Sequence, residues 1–370
     1  MLTKADDYPI HQTPEPIAYS GSDRNFYDRY FFNGYDNEGT LFFAAALGVY
    51  PHLNIMDASF CVVYDGVQYD LHASKYLKME RLDTQVGPIG IEVIEPLQCL
   101  SLTCDDPENG LQAELIFMGR HSPIEEPRFT QRTGTRMGMD STRMTQNGCY
   151  QGWITLKGRR FDINPETYRG TRDRSWGVRP IGMRDEQVNP DQGTPQFYWE
   201  WAPINFATWC SYYHFNADAT GTPWNTKAVL VALDNPNVHL EMTEQSSTLV
   251  LRKDTRHAQS ATLKFKDAED QQYILTLTPQ FNFYMRGLGY GHPEWGHGLN
   301  HGTLETGFEE HKLSEVDLSS IEHFHIQAFC EAQLETPDGS VTGSGILEQL
   351  IVGPYAPLNL EGIMDLAKQH

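Results

Sequence analysis

Residues 58–73 read ASFCVVYDGVQYDLHA, a pattern typical of a β-hairpin. Two apolar runs, residues 58–64 and 67–73, flank the dipeptide Asp65-Gly66. Asp-Gly favours the left-handed backbone of a two-residue turn, whose twist matches that of the strands on either side. The stretch therefore predicts two paired antiparallel strands.

Short apolar runs separated by turn residues recur along the chain. Residues 150–156 and 160–163 predict a second hairpin around Lys157-Gly158, and a closing amphipathic helix is expected only at residues 358–368. Other short apolar runs broken by turn residues are 90–95, 97–104, 111–119, 206–215, 227–233, 248–252, 262–265, 273–277, 281–285 and 321–334. Closely spaced short strands predict an all-β sandwich or barrel architecture.

The proline-rich stretch PIGMRDEQVNPDQGTP at residues 180–195 has the composition of a linker. We expect it to join two β domains, residues 1–182 and residues 195–370. A chain of 370 residues is long enough for two domains of ordinary size.

Composition excludes several classes of partner. With 28 lysines and arginines against 49 aspartates and glutamates, the formal charge is -21, which argues against nucleic acid or an anionic membrane surface. No apolar run is long enough to span a membrane, and the start MLTKADDYPIHQTPEP has no signal-peptide core. The six cysteines form no CxxC pair, so a reduced cytoplasmic protein is expected. The oligomeric state stays open, with a homodimer as one alternative.

A cluster of charge lies at residues 168–180, YRGTRDRSWGVRP. Arginines beside a carboxylate and a tryptophan are costly to bury unless each charge is paired. Arg172, Arg174 and Arg179 are therefore expected in structural ion pairs, and Trp176 in the wall of a site. Asp173 has two alternative roles: protonated, it is a general acid, and ionised, it anchors an arginine.

A glycine-rich loop, GLGYGHPEWGHGLNHGTLE at residues 287–305, carries three histidines. His292 with Glu294 is the expected acid–base pair, since histidine titrates near neutrality. Tyr290, Trp295 and His297 are expected to shape a pocket. A metal held by His292, His297 and His301 is the alternative, although their spacing matches no standard zinc motif.

Aromatic residues are dense from residue 197 to residue 215. Strand alternation places Tyr198 and Glu200 on one face, opposite three neighbouring aromatic residues. We expect Tyr198, Glu200 and Tyr213 to bind substrate, although strand aromatics more often form core. A weaker feature is the pair His323 and His325, which would share a face on a strand. No nucleotide-binding or serine-hydrolase motif is present in the sequence, so no organic cofactor is expected.

The segments GWITLKGRRFDI (residues 152–163), YRGTRDRSWGVRP and GYGHPEWGHG (residues 289–298) resemble a known family. They are similar to the tandem lipocalin-like proteins of carotenoid 1,2-hydratase (hydroxyneurosporene synthase), kievitone hydratase and AttH-type proteins, above all a bacterial branch with a G-x-RD-x-SWG-x-R signature. The resemblance implies two lipocalin-like β domains and a ligand cavity in or between them. It implies cofactor-independent addition or removal of water on isoprenoid or aromatic substrates, and Asp173 matches the aspartate of the signature.

The sequence thus predicts a lyase, of hydratase or isomerase type, acting on an apolar isoprenoid or aromatic small molecule. Asp173, His292 and Glu294 are its predicted proton-handling residues. The alternatives are a non-catalytic carrier that holds such a ligand in a β cavity, and a metal enzyme that uses the loop histidines.

Overall fold

A computed structural model describes Thr3, Ala5 and residues 10–19, 21–184 and 194–368. Within these residues the regular secondary structure is almost entirely β, arranged in two sheets of 14 and 9 strands. This arrangement confirms the all-β, two-sheet architecture predicted from the sequence.

The first sheet contains β1 (Phe26–Asp36), β2 (Leu41–Tyr50), β3 (Ile55–Tyr64), β4 (Val67–Tyr76), β5 (Gln85–Val86), β6 (Ile89–Glu95), β7 (Cys99–Asp106), β8 (Leu111–Gly119), β9 (Ile124–Glu125), β10 (Phe129–Thr133), β11 (Arg136–Leu156), β12 (Arg159–Ile163), β13 (Tyr168–Val178) and β21 (Leu304–Lys312). Its order is β21-β4-β3-β2-β1-β13-β11-β8-β7-β6-β5, and the short strands β9, β10 and β12 pair with β11.

The second sheet contains β14 (Phe197–Trp201), β15 (Ile204–Phe206), β16 (Trp209–Ala217), β17 (Pro223–Ala232), β18 (Leu240–Leu251), β19 (Ala258–Lys266), β20 (Gln272–Tyr284), β22 (Ile326–Thr336) and β23 (Gly339–Val352). Its order is β14-β16-β15-β23-β22-β20-β19-β18-β17, and β16 also pairs with β17. That last pairing closes the sheet into a barrel, which removes its free edges. Short 3₁₀ helices lie at Pro51–Leu53, Met285–Leu288, Leu313–Glu315, Ile321–His323 and Ala356–Leu358.

Both hairpins expected from the sequence are present. Asp65 and Gly66 have φ of 50° and 74°, and Tyr64 pairs with Val67 across them. Positive φ at both central residues is the geometry of a type I′ turn. Lys157 and Gly158, with φ of 48° and 81°, connect β11 to β12 in the same way.

Alternation along the strands divides the apolar residues among three layers. On β2, Phe43 and Leu47 face the core enclosed by the first sheet, whereas Phe42 and Ala46 face the second sheet. The second barrel has its own core, around residues such as Leu263 and Leu275. Because β2 is buried on both faces, its ten residues read as one continuous apolar run.

One strand from the second half of the chain belongs to the first sheet. β21 pairs antiparallel with β4 along its whole length, from Leu304 opposite Lys75 to Lys312 opposite Val67. The segment that leads into it contains most of the glycine-rich loop at residues 287–305, called below the histidine-rich loop, whose last two residues begin β21. The loop therefore connects β20 of the second sheet to β21 of the first.

The predicted C-terminal helix is wrong. Residues 358–368 contain no α-helix, and the only helical turn there is Ala356–Leu358. Their backbone groups form tertiary hydrogen bonds instead. The Ala367 carbonyl accepts from the Asp254 N–H group, and the Ala367 N–H group donates to the Thr255 carbonyl. The buried guanidinium group of Arg256 binds further carbonyls of this segment. These tertiary contacts satisfy the backbone groups that a helix would have paired internally.

The predicted linker lies mostly outside the described residues, which omit 185–193. On either side of it, β13 ends at Val178 in the first sheet and β14 begins at Phe197 in the second. In the described part of the chain, no helix is long and apolar enough to cross a membrane.

Candidate functional site

Polar side chains interrupt the apolar layer between the two sheets. Asp173 on β13 lies opposite Phe31 on β1 and Thr145 on β11. Phe31 faces the second sheet, where it meets Trp201 edge-on at 6.2 Å between ring centroids. Opposed residues of neighbouring strands share a face, so Asp173 also points toward the second sheet.

Asp173 is the one carboxyl of this layer that forms no hydrogen bond or ion pair with the described residues. Its side chain keeps some accessible surface. Burial raises the pKa of Asp173 to about 7, against the opposing effect of Arg143 and Arg29 and with the help of Glu126 and Glu348. Near neutral pH a large fraction of it is therefore a protonated acid.

On one side of Asp173 lies an ion pair between Arg143 and Glu126. The Arg143 Nη2 to Glu126 Oε2 distance is 2.6 Å, and Thr145 donates to the same carboxylate. Burial alone would raise the pKa of Glu126, but Arg143 and His214 bring it below its ordinary value. The Arg143 guanidinium also stacks on Trp199, 4.1 Å from the ring centroid.

On the other side lies a second buried carboxylate, Glu348. It is 2.7 Å from His325 Nε2 and accepts a 2.7 Å hydrogen bond from Gln327. Burial would raise the pKa of Glu348, but the contact with His325 and the hydrogen bond from Gln327 lower it. Asp173 thus lies near two carboxylates that stay ionised, while burial raises its own pKa to about 7.

Tyr290 connects this region to the histidine-rich loop. Its ring meets His297 at 4.5 Å and His325 at 4.6 Å, both edge-on. Arg29 lies over the ring at 4.8 Å and Arg179 at 5.6 Å. Of the residues predicted from the loop, Tyr290 and His297 therefore do converge on the layer that contains Asp173. We call Asp173, Glu126, Arg143, Glu348, His325, Tyr290, Arg29, Arg179 and His297 the interface cluster.

Sequence reasoning missed Glu126, Arg143, Glu348 and Arg29. Each is on a strand or turn whose sequence distance from Asp173 gives no sign of contact, and only the strand register brings them together. His325 was noticed for its spacing to His323. The two histidines do not share a strand face, because Ile321–His323 is a 3₁₀ helix and the strand begins at Ile326.

The structure does not bring His292 and Glu294 to Asp173. His292 lies beside Glu309 of β21, with 3.0 Å between His292 Nε2 and Glu309 Oε2, and Glu294 is exposed to solvent. The reason is β21, which draws the end of the loop onto the edge of the first sheet. Trp295 goes with it and stacks on His72 at 5.5 Å.

His292, His297 and His301 form no joint metal site, because the last two direct Nε2 to the carbonyls of Leu288 and Glu294. Among the described residues, two other groups have donor atoms within 4.8 Å of one another: His72, His292 and Glu309, and Asp70, Glu309 and His311.

Hydrogen bonding disfavours a metal in the first of these groups. His292 Nδ1 accepts the backbone N–H groups of Glu294 and Trp295 at 3.1 and 2.9 Å, so the proton of the neutral ring is on Nε2 and points at Glu309. A nitrogen that donates its proton has no lone pair for a metal. Arg286, 2.9 Å from the same carboxylate, adds a fixed positive charge.

Arg174 forms an ion pair with Asp28, as expected, and lies over the ring of Tyr30 at 4.0 Å. Arg172 instead donates to Gln146 at 2.7 Å, and Arg179 contacts His297 and tyrosine rings. The three arginines therefore separate, because alternation turns Arg172 and Arg174 away from the face of Asp173. Trp176 follows them and is 41% exposed.

Tyr198, Glu200 and Tyr213 lie inside the second barrel, away from the interface cluster. Glu200 Oε1 accepts hydrogen bonds from Tyr198 and, at 2.8 Å, from Ser247, whereas Oε2 has no partner. Burial raises the pKa of Glu200 to about 7, partly offset by these two hydrogen bonds.

We expect Glu200→Gln to stabilise the protein at alkaline pH. The folded state holds the Glu200 proton with a pKa of about 7, against 4.5 for the free side chain, so its contribution is complete below pH 4.5 and is lost as pH rises through 7. At pH 8 the variant should be more stable by about 3 kcal/mol, since one pKa unit is about 1.4 kcal/mol. Urea unfolding at pH 4.5 and pH 8 measures the difference.

Glutamine retains both hydrogen bonds accepted by Oε1, so a change in packing is not expected. The exposed Glu331, on β22 of the same barrel, is the matched control, and Glu331→Gln should give the same small change at both pH values. An equal effect of Glu200→Gln at the two pH values would show that Glu200 does not retain its proton.

A cavity of about 250 Å³ opens at the rim between β10 and β14. Its lining includes Arg132, Phe197 and Trp224. Phe197 stacks with Trp199 at 6.4 Å, and Trp199 is the ring under Arg143. A line of aromatic rings therefore leads from this cavity toward the interface cluster.

Comparison with solved structures finds the same two-sheet fold. CghA with Sch210972 matches with a TM-score of 0.54 and 10% identity, over 89% of this chain and 89% of that chain. An AttH-type protein from Nitrosomonas europaea matches with a TM-score of 0.51 and 12% identity, over 93% and 98%. Kievitone hydratase from Nectria haematococca reaches 0.47 at 11% identity, over 87% and 88%.

At these identities the first two structures confirm the kind of fold implied by the resemblance, and nothing finer. No curated protein sequence matches the chain. One family profile matches residues 2–361, almost the full length. By that match, the chain belongs to the family of unknown function DUF8625.

Proposed function

We propose that this protein is a hydratase-like lyase that acts by acid–base chemistry in the interface cluster, on an apolar, ring-bearing or isoprenoid small molecule. The observation that carries the proposal is Asp173, a carboxyl without a hydrogen-bond partner and with its pKa raised to about 7. Groups whose environments push their pKa values apart are typical of acid–base sites. CghA, which shares the fold, was solved with Sch210972.

The proposed roles follow from the protonation states. Asp173 donates its proton to one carbon of a substrate double bond, and the oxygen of a water molecule bonds to the other carbon. The proton that this water loses passes to ionised Glu348 or Glu126 and returns through solvent to Asp173, so one water is added overall. Elimination of water is the same sequence in reverse: protonated Glu348 or Glu126 gives its proton to the departing hydroxyl group, and ionised Asp173 takes a proton from the neighbouring carbon.

The aromatic residues around the cluster suit such a substrate. Phe31 and Trp201 form an apolar surface beside Asp173, and Trp199 extends it toward the rim cavity. Aromatic rings provide large apolar contact area at small conformational cost. No step in this scheme needs an organic cofactor.

Incubation in ¹⁸O-labelled water tests the reaction class before the natural substrate is known. We expect at least one member of a panel of prenylated phenols and monoterpene alkenes to gain one ¹⁸O and two hydrogens, detected by mass spectrometry. Loss of water from the corresponding alcohols, detected as the alkene products, tests the reverse direction. Asp173→Asn should slow incorporation of the label by about 10²–10⁴-fold, and Asp162→Asn, at a side chain that is 84% exposed, should leave it unchanged.

Two results would contradict the proposal. Incorporation that is equal in the wild type and in Asp173→Asn would remove Asp173 from the chemistry. A compound recovered tightly bound and unchanged after long incubation, with no turnover on any panel member, would favour a carrier.

A further inference from the structure

Two arginines of the interface cluster, buried Arg29 and half-buried Arg179, lack a carboxylate partner among the described residues. Arg29 is 2% exposed, and Arg179 is enclosed between the rings of Tyr27 and Tyr290. The Nε atoms of both guanidinium groups are buried without a hydrogen-bond partner. A buried cation without an ion-pair partner is costly, so its persistence needs an explanation.

The contacts that these arginines do make are neutral. Arg29 donates to the Tyr290 hydroxyl and, at 3.4 Å, to the carbonyl of Leu288. Arg179 Nη2 is 3.2 Å from His297 Nδ1, and His297 Nε2 is 2.8 Å from the same Leu288 carbonyl. A ring that donates from Nε2 and accepts at Nδ1 is uncharged, so His297 adds no charge and offsets none.

Asp57 interacts electrostatically with both arginines but is hydrogen-bonded to other groups. It accepts hydrogen bonds from the Tyr50 hydroxyl at 3.0 Å and from the Gly298 backbone at 2.7 Å. It forms no ion pair with Arg29 or Arg179. Neither guanidinium group is in direct contact with a carboxylate of the described residues, so both positive charges at this end of the cluster lack an ion-pair partner.

We propose that Arg29 and Arg179 form a subsite for a carboxylate group of the substrate, an inference that rests on the proposed function. Guanidinium groups bind carboxylates through paired N–H donors, and two of them around one group fix its position. A single negative charge suits this subsite better than a phosphate dianion, because the acids Asp57 and Asp173 both interact electrostatically with Arg29. The Tyr290 hydroxyl is the third donor of the subsite.

The strand geometry relates this subsite to the acid. Arg29 and Phe31 are two residues apart on β1 and share a face, and Phe31 lies opposite Asp173. Residues two apart on a strand are separated by about 7 Å. The acid and the carboxylate subsite are thus neighbours, and the reacting carbon would lie only a few bonds from the substrate's carboxylate. The inferred substrate class is an unsaturated or hydroxylated carboxylic acid with an apolar body.

Calorimetric titration with matched pairs of probes tests the subsite without turnover. The pairs are cinnamate with cinnamamide, and decanoate with decanamide, which differ in charge but little in shape. We expect the carboxylate of at least one pair to bind at least tenfold more tightly than its amide. Arg179→Gln should remove that preference, Tyr290→Phe should reduce it, and Asp173→Asn should retain it.

Arg160→Gln is the control, because that arginine is 54% exposed and pairs with Asp162. Circular dichroism and melting temperature verify folding, and if Arg179→Gln does not fold, Arg179→Lys should still weaken the carboxylate through loss of paired donors. Equal binding of acids and amides by the wild type, or a preference that survives in the folded Arg179 variant, overturns the subsite. Carboxylate binding without ¹⁸O incorporation would instead overturn the proposed reaction and leave the subsite standing.

Discussion

Asp173→Asn is expected to lower turnover by about 10²–10⁴-fold, the range that a positioned general acid contributes. Asparagine keeps the size of the side chain and loses only the transferable proton. Because the pKa of Asp173 is raised to about 7, wild-type activity should fall as pH rises through 7 and the acid form disappears. The residual activity of the variant should lack that limb of the pH profile.

Initial rates on the compound identified by ¹⁸O labelling, measured from pH 5 to pH 9, provide the comparison. Asp162→Asn should reproduce both the wild-type rate and its pH profile. A folded Asp173→Asn protein with full turnover would assign the acid to another residue, and His325 beside Glu348 would then be examined first.

Arg256→Met is expected to destabilise the protein by about 3–5 kcal/mol. The Arg256 side chain is 0% exposed, and it donates to the carbonyls of Asp365, Ile351, Gly353 and Gly362 at 2.7, 3.3, 2.8 and 2.8 Å. Hydrogen bonds from a charged donor are worth about 1.5–3 kcal/mol each. Methionine fills much of the same space but leaves all four carbonyl oxygens without their donor. Solvent can reach the oxygens near the surface, which limits the loss of stability.

The urea midpoint at pH 7 measures the loss, and Lys253→Met, at a side chain that is 55% exposed, is the control. Hydrogen exchange should rise first in residues 353–367, since Arg256 holds that segment against the second barrel. An unchanged midpoint would mean that water replaces the arginine at all four carbonyls.

Much of the fold could be predicted because strand signals are local. Asp65-Gly66 and Lys157-Gly158 each determine a turn within two residues, and alternation then assigns the faces. The helix predicted at residues 358–368 is absent for the opposite reason. Its amphipathic pattern is local, whereas Arg256, which binds the carbonyls of that segment, is about a hundred residues away in the sequence.

The residues of the candidate site likewise divide into those that the sequence could identify and those that it could not. The signature segment led to Asp173, and the composition of the loop led to Tyr290 and His297. Arg143 and Glu348 could not be found, because they meet Asp173 only through strand register and the packing of two sheets. His292 and Glu294 share the loop with Tyr290, but sequence could not show that β21 would turn them away.

The position of β21 also determines what happens when the chain is divided. Without residues 304–312, β4 would present nine residues of unpaired backbone to solvent, a template for association with other chains. An isolated first half should therefore aggregate, and a synthetic peptide of residues 304–312 should compete for that edge. The two sheets are connected in two ways: by the covalent linker between β13 and β14, and by β21, which comes from the second half of the chain and pairs in the first sheet. Their unfolding should accordingly be a single concerted event, and a nick near residue 190 should leave the two fragments bound to each other.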